Sequence, residues 1–323
     1  MIFALSVIAA IIPATIYAAL IYWIDRYEKE PFWLLATVFL WGAIPSIVIA
    51  IIGSTILGLP IYFISETAAE FAGAVIIAPL VEEIVKGLII LGIFFFWRHE
   101  FDSYLDGIIY GALVGMGFAM VENVFYFMAT YAEGGFEAWG INVFMRAIVF
   151  GLNHSLYTSM TGLGLAIARL NTNTLLRLTA PTVGLILSMI LHAVHNFAAV
   201  MGILPLLFLN AWGGGFVLLI IIIWAILQES RWIRTYLQEE VELGTITAEQ
   251  LRIASKASTR VGRRLRTLQQ GGFASYRRTN QFYTMCSELA YKKHHYELFT
   301  NPKNQELTEE LRLRLRELSP LVF

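Results

Sequence analysis

Seven long apolar stretches constrain the fold of this chain more than any other feature of its sequence. Each exceeds the length of about 20 residues that a helix needs to cross a bilayer. They lie at about 2–24, 32–58, 72–97, 106–131, 141–169, 181–202 and 204–227. Charged residues make up only 15% of the chain, whereas about a quarter of a soluble domain is charged. The sequence therefore predicts an all-α, polytopic transmembrane helical bundle of about seven spans.

Charge divides the chain near residue 227. Residues 1–227 carry 7 Lys/Arg and 13 Asp/Glu, whereas residues 228–323 carry 16 and 11. We expect a transmembrane domain over 1–227, with its core helices at about 72–202, and a basic, helical tail over 228–323. The basic residues of the tail favour either a solvated face or attraction to anionic lipid. Their dispersion argues against nucleic-acid binding.

Basic residues also predict the orientation in the membrane. They follow the first, third and fifth spans, at Arg26, Lys29, Arg98, Arg169 and Arg177, and the tail follows the seventh. The alternate connections contain no Lys or Arg. Cytoplasmic loops are the ones enriched in Lys and Arg. We therefore expect a multi-pass protein of the cell membrane with its N-terminus outside and its tail in the cytoplasm.

Four of the spans carry polar side chains that lipid would reject. These are Glu82, Glu83 and Lys86 in the third span, Glu122 and Asn123 in the fourth, Asn153 and His154 in the fifth, and His192, His195 and Asn196 in the sixth. An ionised group at membrane depth costs several kcal/mol, about 2.5 or more, unless it is paired or hydrated. At about 100° per residue, the side chain of Lys86 falls between the two adjacent glutamates. We expect Lys86 to pair with one of them.

Helical geometry predicts that these groups converge. Glu82, His154 and His192 each lie about ten to thirteen residues into a span, near the bilayer midplane at about 1.5 Å per residue, with Glu122 nearer the outer side. Gly111 and Gly115 share a face with Glu122, and small residues at this spacing let a neighbouring helix approach closely. We therefore expect these side chains to meet in a packed interior.

A carboxylate and two imidazoles at one depth suit the activation of water. A buried carboxylate can act as a general base, and imidazoles can hold a water, stabilise an oxyanion or bind a metal. Two histidines and one glutamate are also a zinc-hydrolase ligand set. The sequence leaves two mechanisms open, a glutamate alone or a divalent metal such as zinc held by His154, His192 and Glu83. Asn196 could donate to the oxyanion or orient His192.

The same residues form a motif set. Glu82-Glu83-x-x-Lys86, Phe118-x-x-x-Glu122, His154 and His192-x-x-x-Asn196 occur in this order, each on its own span. Over about 75–200 the chain resembles the PrsW family of glutamic-type intramembrane proteases, which are similar to the CAAX-processing and bacteriocin-immunity membrane proteases. The chain departs from the usual pattern at His195, where an aromatic residue ordinarily precedes the final asparagine.

The resemblance implies a protease that cuts membrane-anchored proteins, with anti-sigma factors as a substrate class. It implies an active site of Glu82, Glu83, Glu122, His154 and His192, which we expect Asn196 to complete. Either Glu82 or Glu83 would activate the water. The expected partners are single-span membrane protein substrates and membrane lipid, with no nucleic acid.

Arg146, His195 and the intramembrane charges also allow other interpretations. We interpret Arg146 as an interfacial anchor, and His195 as lying outside the site. A proton-coupled transporter or channel could use the same Glu/His/Lys set to relay protons. An inactive family member that only binds membrane segments is a second alternative.

Overall fold

The computed structural model describes residues 1–300 and 302–322. It shows helices and no strand in this part of the chain. The described residues form two compact units. The first comprises Met1–Ile24, Glu30–Arg169 and Asn173–Ile222, and the second comprises Asp25–Lys29, Leu170–Thr172 and the described residues from Ile223 onward.

The first unit is a bundle of apolar helices. In chain order they are α1 (Ile2–Ile24), α2 (Phe32–Trp41), α3 (Ile47–Tyr62), α4 (Glu66–Ala72), α5 (Ala78–Phe96), α6 (Tyr104–Val143), α7 (Asn153–Leu170), α8 (Thr174–Val200), α9 (Leu204–Phe208) and α10 (Gly214–Tyr236). Helix α10 continues into the second unit. Within the described residues, five helical stretches are long and apolar enough to cross a membrane. The predicted helical membrane bundle is therefore confirmed, with five such stretches against seven predicted spans.

The five stretches and the seven predicted spans differ for two reasons. One stretch, Tyr104–Leu170, includes both the fourth and the fifth predicted spans. The third predicted span corresponds to α5 and the helical turns before it, which are not among the five stretches. That segment carries Glu82, Glu83 and Lys86 in its middle.

Three helices of the bundle contain irregular turns at identifiable residues. A π-helical turn over Gly42–Ser46 contains Pro45, and another over Gly73–Ile77 ends two residues before Pro79. Proline has no backbone N–H to donate to the preceding turn, which widens or bends the helix there. Within α6, Gly135 has a φ of 69°, which breaks the helix into two. This break lies in the connection predicted between the fourth and fifth spans.

The fifth predicted span, 141–169, is not the continuous helix that its apolar stretch predicts. After a π-helical turn over Phe144–Val149, the chain leaves the helix at Phe150–Leu152 and α7 begins at Asn153. Gly151 permits this turn, because a Cβ there would collide with the carbonyl oxygen of Ala147 and the ring of Tyr17. His154 therefore lies in the first turn of a helix rather than in the middle of one.

Helix α6 lies at the centre of the first unit. Every residue from Leu105 to Ala119 is buried. Its N-terminus has a capping box, in which Ser103 and Asp106 bond to each other's backbone amides. Helix α6 packs against α1 and α2, and its glycines contact the backbone of α7. The helix that carries Glu122 is consequently held on several sides.

The second unit is built on a helical hairpin. Its elements after α10 are α11 (Gln238–Glu242), α12 (Ala248–Ala254), α13 (Ala257–Phe299) and α14 (Pro302–Leu318). Gly272, with a φ of 68°, breaks α13 into two arms. The guanidinium of Arg260 on the first arm donates to the hydroxyl of Ser287 on the second at 2.8 Å, so the arms run antiparallel.

Arg260 ties the second unit together. The residue is fully buried, and it also donates to the carbonyl oxygens of Ala254 at 2.7 Å and Tyr27 at 2.8 Å. A buried guanidinium is costly unless its donors are satisfied. These hydrogen bonds join the short Asp25–Lys29 segment to the hairpin.

Cys286 gives a direct test of this core. Its side chain is fully buried, and burial raises the pKa of its thiol to about 12. Since the thiolate is the reactive form, we expect alkylation at pH 8 to be about 10³-fold slower than for a free cysteine. Mass spectrometry of the alkylated chain measures the rate. Denaturant should restore fast labelling, and fast labelling of the native chain would contradict this packing.

Candidate active site

Four helices bring the predicted polar residues together. Glu82 and Glu83 come from α5, His154 from the start of α7, and His192 from α8. Each offers one carboxylate oxygen or ring nitrogen, and these four atoms lie within 4.8 Å of one another. Glu122 joins the group from α6, because His154 Nε2 lies 3.0 Å from Glu122 Oε2.

The ammonium group of Lys86 lies among these donors. Its Nζ lies 2.8 Å from Glu83 Oε1 and 3.1 Å from Glu82 Oε2. It also lies 3.1 Å from His154 Nδ1 and 3.8 Å from the centre of the Phe118 ring. The predicted pairing of Lys86 with a glutamate is confirmed, and it extends to both. The charge on Lys86 offsets part of the cost of burying two adjacent carboxylates.

These contacts define the tautomer of His154. An ammonium group can only donate, so Nδ1 of His154 accepts from Lys86. The other nitrogen, Nε2, then carries the hydrogen and donates to Glu122. The imidazole is thus oriented from both sides.

The two adjacent glutamates have different surroundings. Glu83 is fully buried and both of its oxygens are engaged. Its Oε1 accepts from Lys86 and from His192 Nδ1 at 2.9 Å. Its Oε2 accepts from the hydroxyls of Thr158 at 2.9 Å and Ser188 at 2.7 Å. Glu83 is therefore a fixed anchor for three helices.

Glu82 has fewer partners and faces open space. Its Oε2 accepts from Lys86 and lies 3.9 Å from His192 Nδ1. Its side chain lines a cavity of about 290 Å³. The polar residues lining this cavity are Glu82, Glu122, Asn123, Tyr126, Arg146, Asn153, His154, His192, His195 and Asn196. Of the two adjacent glutamates, Glu82 is the one that can reach a molecule in the cavity.

Arg146 belongs to this polar cavity. Its guanidinium donates to Glu122 Oε2 at 2.5 Å and to Asn123 Oδ1 at 2.9 Å, and it lies 3.7 Å above the Tyr126 ring. The sequence predicts an interfacial anchor at Arg146, whereas the structure pairs it with Glu122 at the cavity. The break at Phe150–Leu152, which the apolar stretch over 141–169 does not indicate, separates this arginine from α7. No motif in the sequence indicated its pairing with Glu122.

Asn196 and His195 lie at the edge of the group. The amide nitrogen of Asn196 donates to the carbonyl oxygen of Ala74 at 2.9 Å, which links α8 to the turn before α5. His195 Nδ1 lies 3.0 Å from the amide nitrogen of Asn153. Both side chains line the cavity. The structure therefore places Asn196 beside the glutamate–histidine group and not within it.

A second cavity lies next to the first. It has a volume of about 590 Å³ and is lined mainly by apolar side chains of α1, α6, α7 and α10. Asn153 lines both cavities. An apolar space thus adjoins the polar one at the start of α7.

Glycines set the distance between α6 and α7. A Cβ at Gly115 would collide with the carbonyl oxygen of His154, and one at Gly111 with that of Thr158. The close approach predicted for these glycines is confirmed. It brings His154 within reach of Glu122 and Thr158 within reach of Glu83.

Gly115→Ala is expected to displace the start of α7 and destabilise the protein by about 1–3 kcal/mol, as overpacking does. Because His154 would move away from its partners, proteolytic activity should fall as well. Thermal unfolding in detergent and cleavage rates measure both effects. The matched control is Gly92→Ala in α5, where a Cβ meets nothing within 4 Å. Equal behaviour of the two variants would contradict this account.

Comparison with known proteins identifies the family. A family model described as "PrsW family intramembrane metalloprotease" matches residues 30–228, more than half of the chain. The chain belongs to the PrsW family. The expectation drawn from the sequence motifs is confirmed, and the chain is a membrane-embedded peptidase. The tail beyond residue 228 lies outside the match.

Curated relatives of this chain carry the name Protease PrsW. The protein of Oceanobacillus iheyensis is 30% identical over 202 residues, which are 60% of this chain and 82% of the relative. That of Clostridioides difficile is 30% identical over 192 residues, 58% and 76% of the two chains. That of Bacillus subtilis is 26% identical over 196 residues, 58% and 80% of the two chains. No solved structure matches the chain.

Proposed function

We propose that this peptidase hydrolyses peptide bonds of single-span, membrane-anchored proteins, with anti-sigma-factor-like proteins as a substrate class. The observation that carries the proposal is the group of Glu82, Glu83, His154 and His192 beside a cavity within the helical bundle. The neighbouring apolar cavity supports a substrate with a hydrophobic segment. We also propose that the protein resides in the cell membrane, with its N-terminus outside and its tail in the cytoplasm.

We assign the role of general base to Glu82. A general base must reach the proton that it removes, directly or through one water. Glu82 lines the cavity, whereas the oxygens of Glu83 accept four hydrogen bonds from protein groups. Lys86 holds the carboxylate of Glu82 in place. The proton that Glu82 takes from water would pass to the leaving amine as the peptide bond breaks.

The charge that develops on the substrate carbonyl oxygen needs donors. The guanidinium of Arg146 and the first turn of α7 both face the cavity, and helix N-termini favour negative charge. Asn196 has a second amide hydrogen beyond the one bonded to Ala74. We propose that these groups stabilise the oxyanion.

The donor set fits a zinc ion by type and spacing. His154, His192 and Glu83 are the ligand types of zinc hydrolases. The contacts around them also match those of metal ligands, since His154 donates its second nitrogen to Glu122 and Glu83 is held by Thr158 and Ser188. An ion at this position would replace the Lys86 ammonium as the partner of Glu83 and His154. The chemistry that zinc supplies when bound is Lewis acidity toward the scissile carbonyl.

Purified full-length chain and a library of single-span substrates test the proposal. We expect specific cleavage, one zinc per chain by elemental analysis, and loss of cleavage with a chelator that added zinc restores. Full activity of the metal-free chain would overturn the proposal of a zinc site but not the proposal of peptide hydrolysis. Absence of cleavage, with proton flux into liposomes that depends on Glu82, would instead favour the transporter alternative.

A further inference from the structure

The tail contains a long segment with only one sign of charge. Residues 250–287 carry 8 Lys/Arg and no Asp or Glu, although the whole tail has 11 acidic residues. This segment forms most of the α13 hairpin and the helix before it. The basic residues are dispersed along the tail, but its net positive charge lies on this element, because all 11 acidic residues of the tail lie outside it.

The end of the hairpin exposes apolar side chains. We define the hairpin tip as residues 261–278, on both sides of Gly272. Leu265 is 53% exposed and Phe273 is 66% exposed, and Val261 and Leu268 are also exposed. Val261, Leu265 and Leu268 lie within an arc of about 60° on the helix surface. The tip thus presents an apolar stripe that the second unit leaves uncovered.

Three arginines of the tip have no acidic partner within the part of the chain that the structure describes, whereas Arg263 pairs with Glu249 at 2.8 Å. Arg266, Arg277 and Arg278 are exposed, and none of them forms an ion pair within the described residues. Elsewhere in the tail, by contrast, Arg312 and Lys293 pair with Glu240. An apolar stripe flanked by unpaired arginines is typical of a helix that lies in a membrane interface.

We propose that the hairpin tip binds the anionic surface of the bilayer in which the protein resides. Leu265, Leu268 and Phe273 would insert among the acyl chains near the headgroups, and Arg266, Arg277 and Arg278 would contact lipid phosphates. Charge complementarity identifies the partner, since anionic headgroups attract clustered arginines at the membrane surface. Helix α10 leads from the apolar bundle into this unit, so the hairpin belongs to a chain that already resides at a bilayer.

Depth-dependent fluorescence quenching tests this contact. Full-length chain with Cys286→Ala and Leu268→Cys is labelled with bimane and placed in nanodiscs that contain spin-labelled lipid. We expect several-fold stronger quenching in discs with phosphatidylglycerol than in pure phosphatidylcholine, and loss of the difference at high salt. The control label is Leu313→Cys, an exposed leucine of α14 beside arginines that have acidic partners, which should respond to neither lipid.

Charge variants complete the test. Arg266→Gln/Arg277→Gln/Arg278→Gln should abolish the difference between the two lipids, whereas Arg252→Gln/Arg314→Gln, outside the tip, should preserve it. In the triple variant without the two cysteine changes, slow alkylation of Cys286 verifies that the hairpin remains folded. Equal quenching in both lipids, or none in either, would overturn the proposal. Two other results would also overturn it. Shielding of the label to the same extent in both lipids, seen only in discs that hold two chains, would indicate a second protein chain as the partner. Shielding by added RNA would indicate a nucleic-acid partner.

Discussion

Glu82→Gln is expected to lower kcat by about 10²–10⁴-fold, the contribution of a positioned general base. The amide of glutamine preserves the shape of the side chain and can still contact Lys86, but it cannot take a proton from water. Glu82 lines the cavity, and among the described residues it accepts a side-chain hydrogen bond from Lys86 alone. We therefore expect the folded state to survive the change, with the loss confined to catalysis.

Cleavage of a single-span reporter by purified chain measures this loss, and thermal unfolding in the same detergent measures stability. Glu70→Gln is the matched control, because Glu70 is an exposed carboxylate in α4. It should leave both quantities unchanged. Retention of wild-type kcat by Glu82→Gln would refute the assignment of Glu82 as the base.

Glu83→Gln is expected to reduce both activity and stability. The carboxylate of Glu83 accepts from Lys86, His192, Thr158 and Ser188. Removing one partner of a buried ion pair lowers the free energy of unfolding by about 3–5 kcal/mol. Because Lys86 would still pair with Glu82, we expect a loss of stability near the lower end of this range. The amide of glutamine keeps only one acceptor oxygen, so either Lys86 and His192 or Thr158 and Ser188 would lose the oxygen that they share. Activity should therefore fall at least as far as in Glu82→Gln.

A second substitution separates the charge from the hydrogen bonds. Glu83→Gln/Lys86→Met removes the ammonium along with the carboxylate, and we expect it to be more stable than the sum of its single changes predicts. Ser188→Ala removes one hydrogen bond to Glu83 and should cost about 1 kcal/mol. If Glu83→Gln lost activity but kept wild-type stability, Glu83 would not be the anchor described above.

The sequence predicted contacts within a helix better than contacts between helices. The pairing of Lys86 with the adjacent glutamates follows from the rise and twist of one helix, and the close approach at Gly111 and Gly115 follows from the absence of a Cβ. Neither depends on knowing which helices are neighbours. The pairs that join Glu83 to Thr158 and Ser188 do depend on this, and hydroxyl groups are too common in a sequence to indicate it.

The break at Phe150–Leu152 explains why the sequence predicts the wrong surroundings for Arg146. A continuous helix over 141–169 would put Arg146 two turns from His154 on a single axis, at the outer end of the span. In the structure the chain turns between them, and both side chains contact Glu122. The sequence also could not predict the different roles of Glu82 and Glu83, because these depend on which of the two carboxylates lines the cavity.

The interruption of the fifth span also affects how water reaches the site during repeated cleavage. Peptide groups that leave a helix at membrane depth are tolerated only where protein or an aqueous space satisfies them. Each bond cleaved consumes one molecule of solvent, which the lipid around the bundle cannot resupply. The non-helical turn lines the polar cavity through Phe150 and Gly151, so we expect solvent that enters the cavity to meet the reacting groups beside this turn. Slow refilling of the cavity would then limit the rate of successive cleavages.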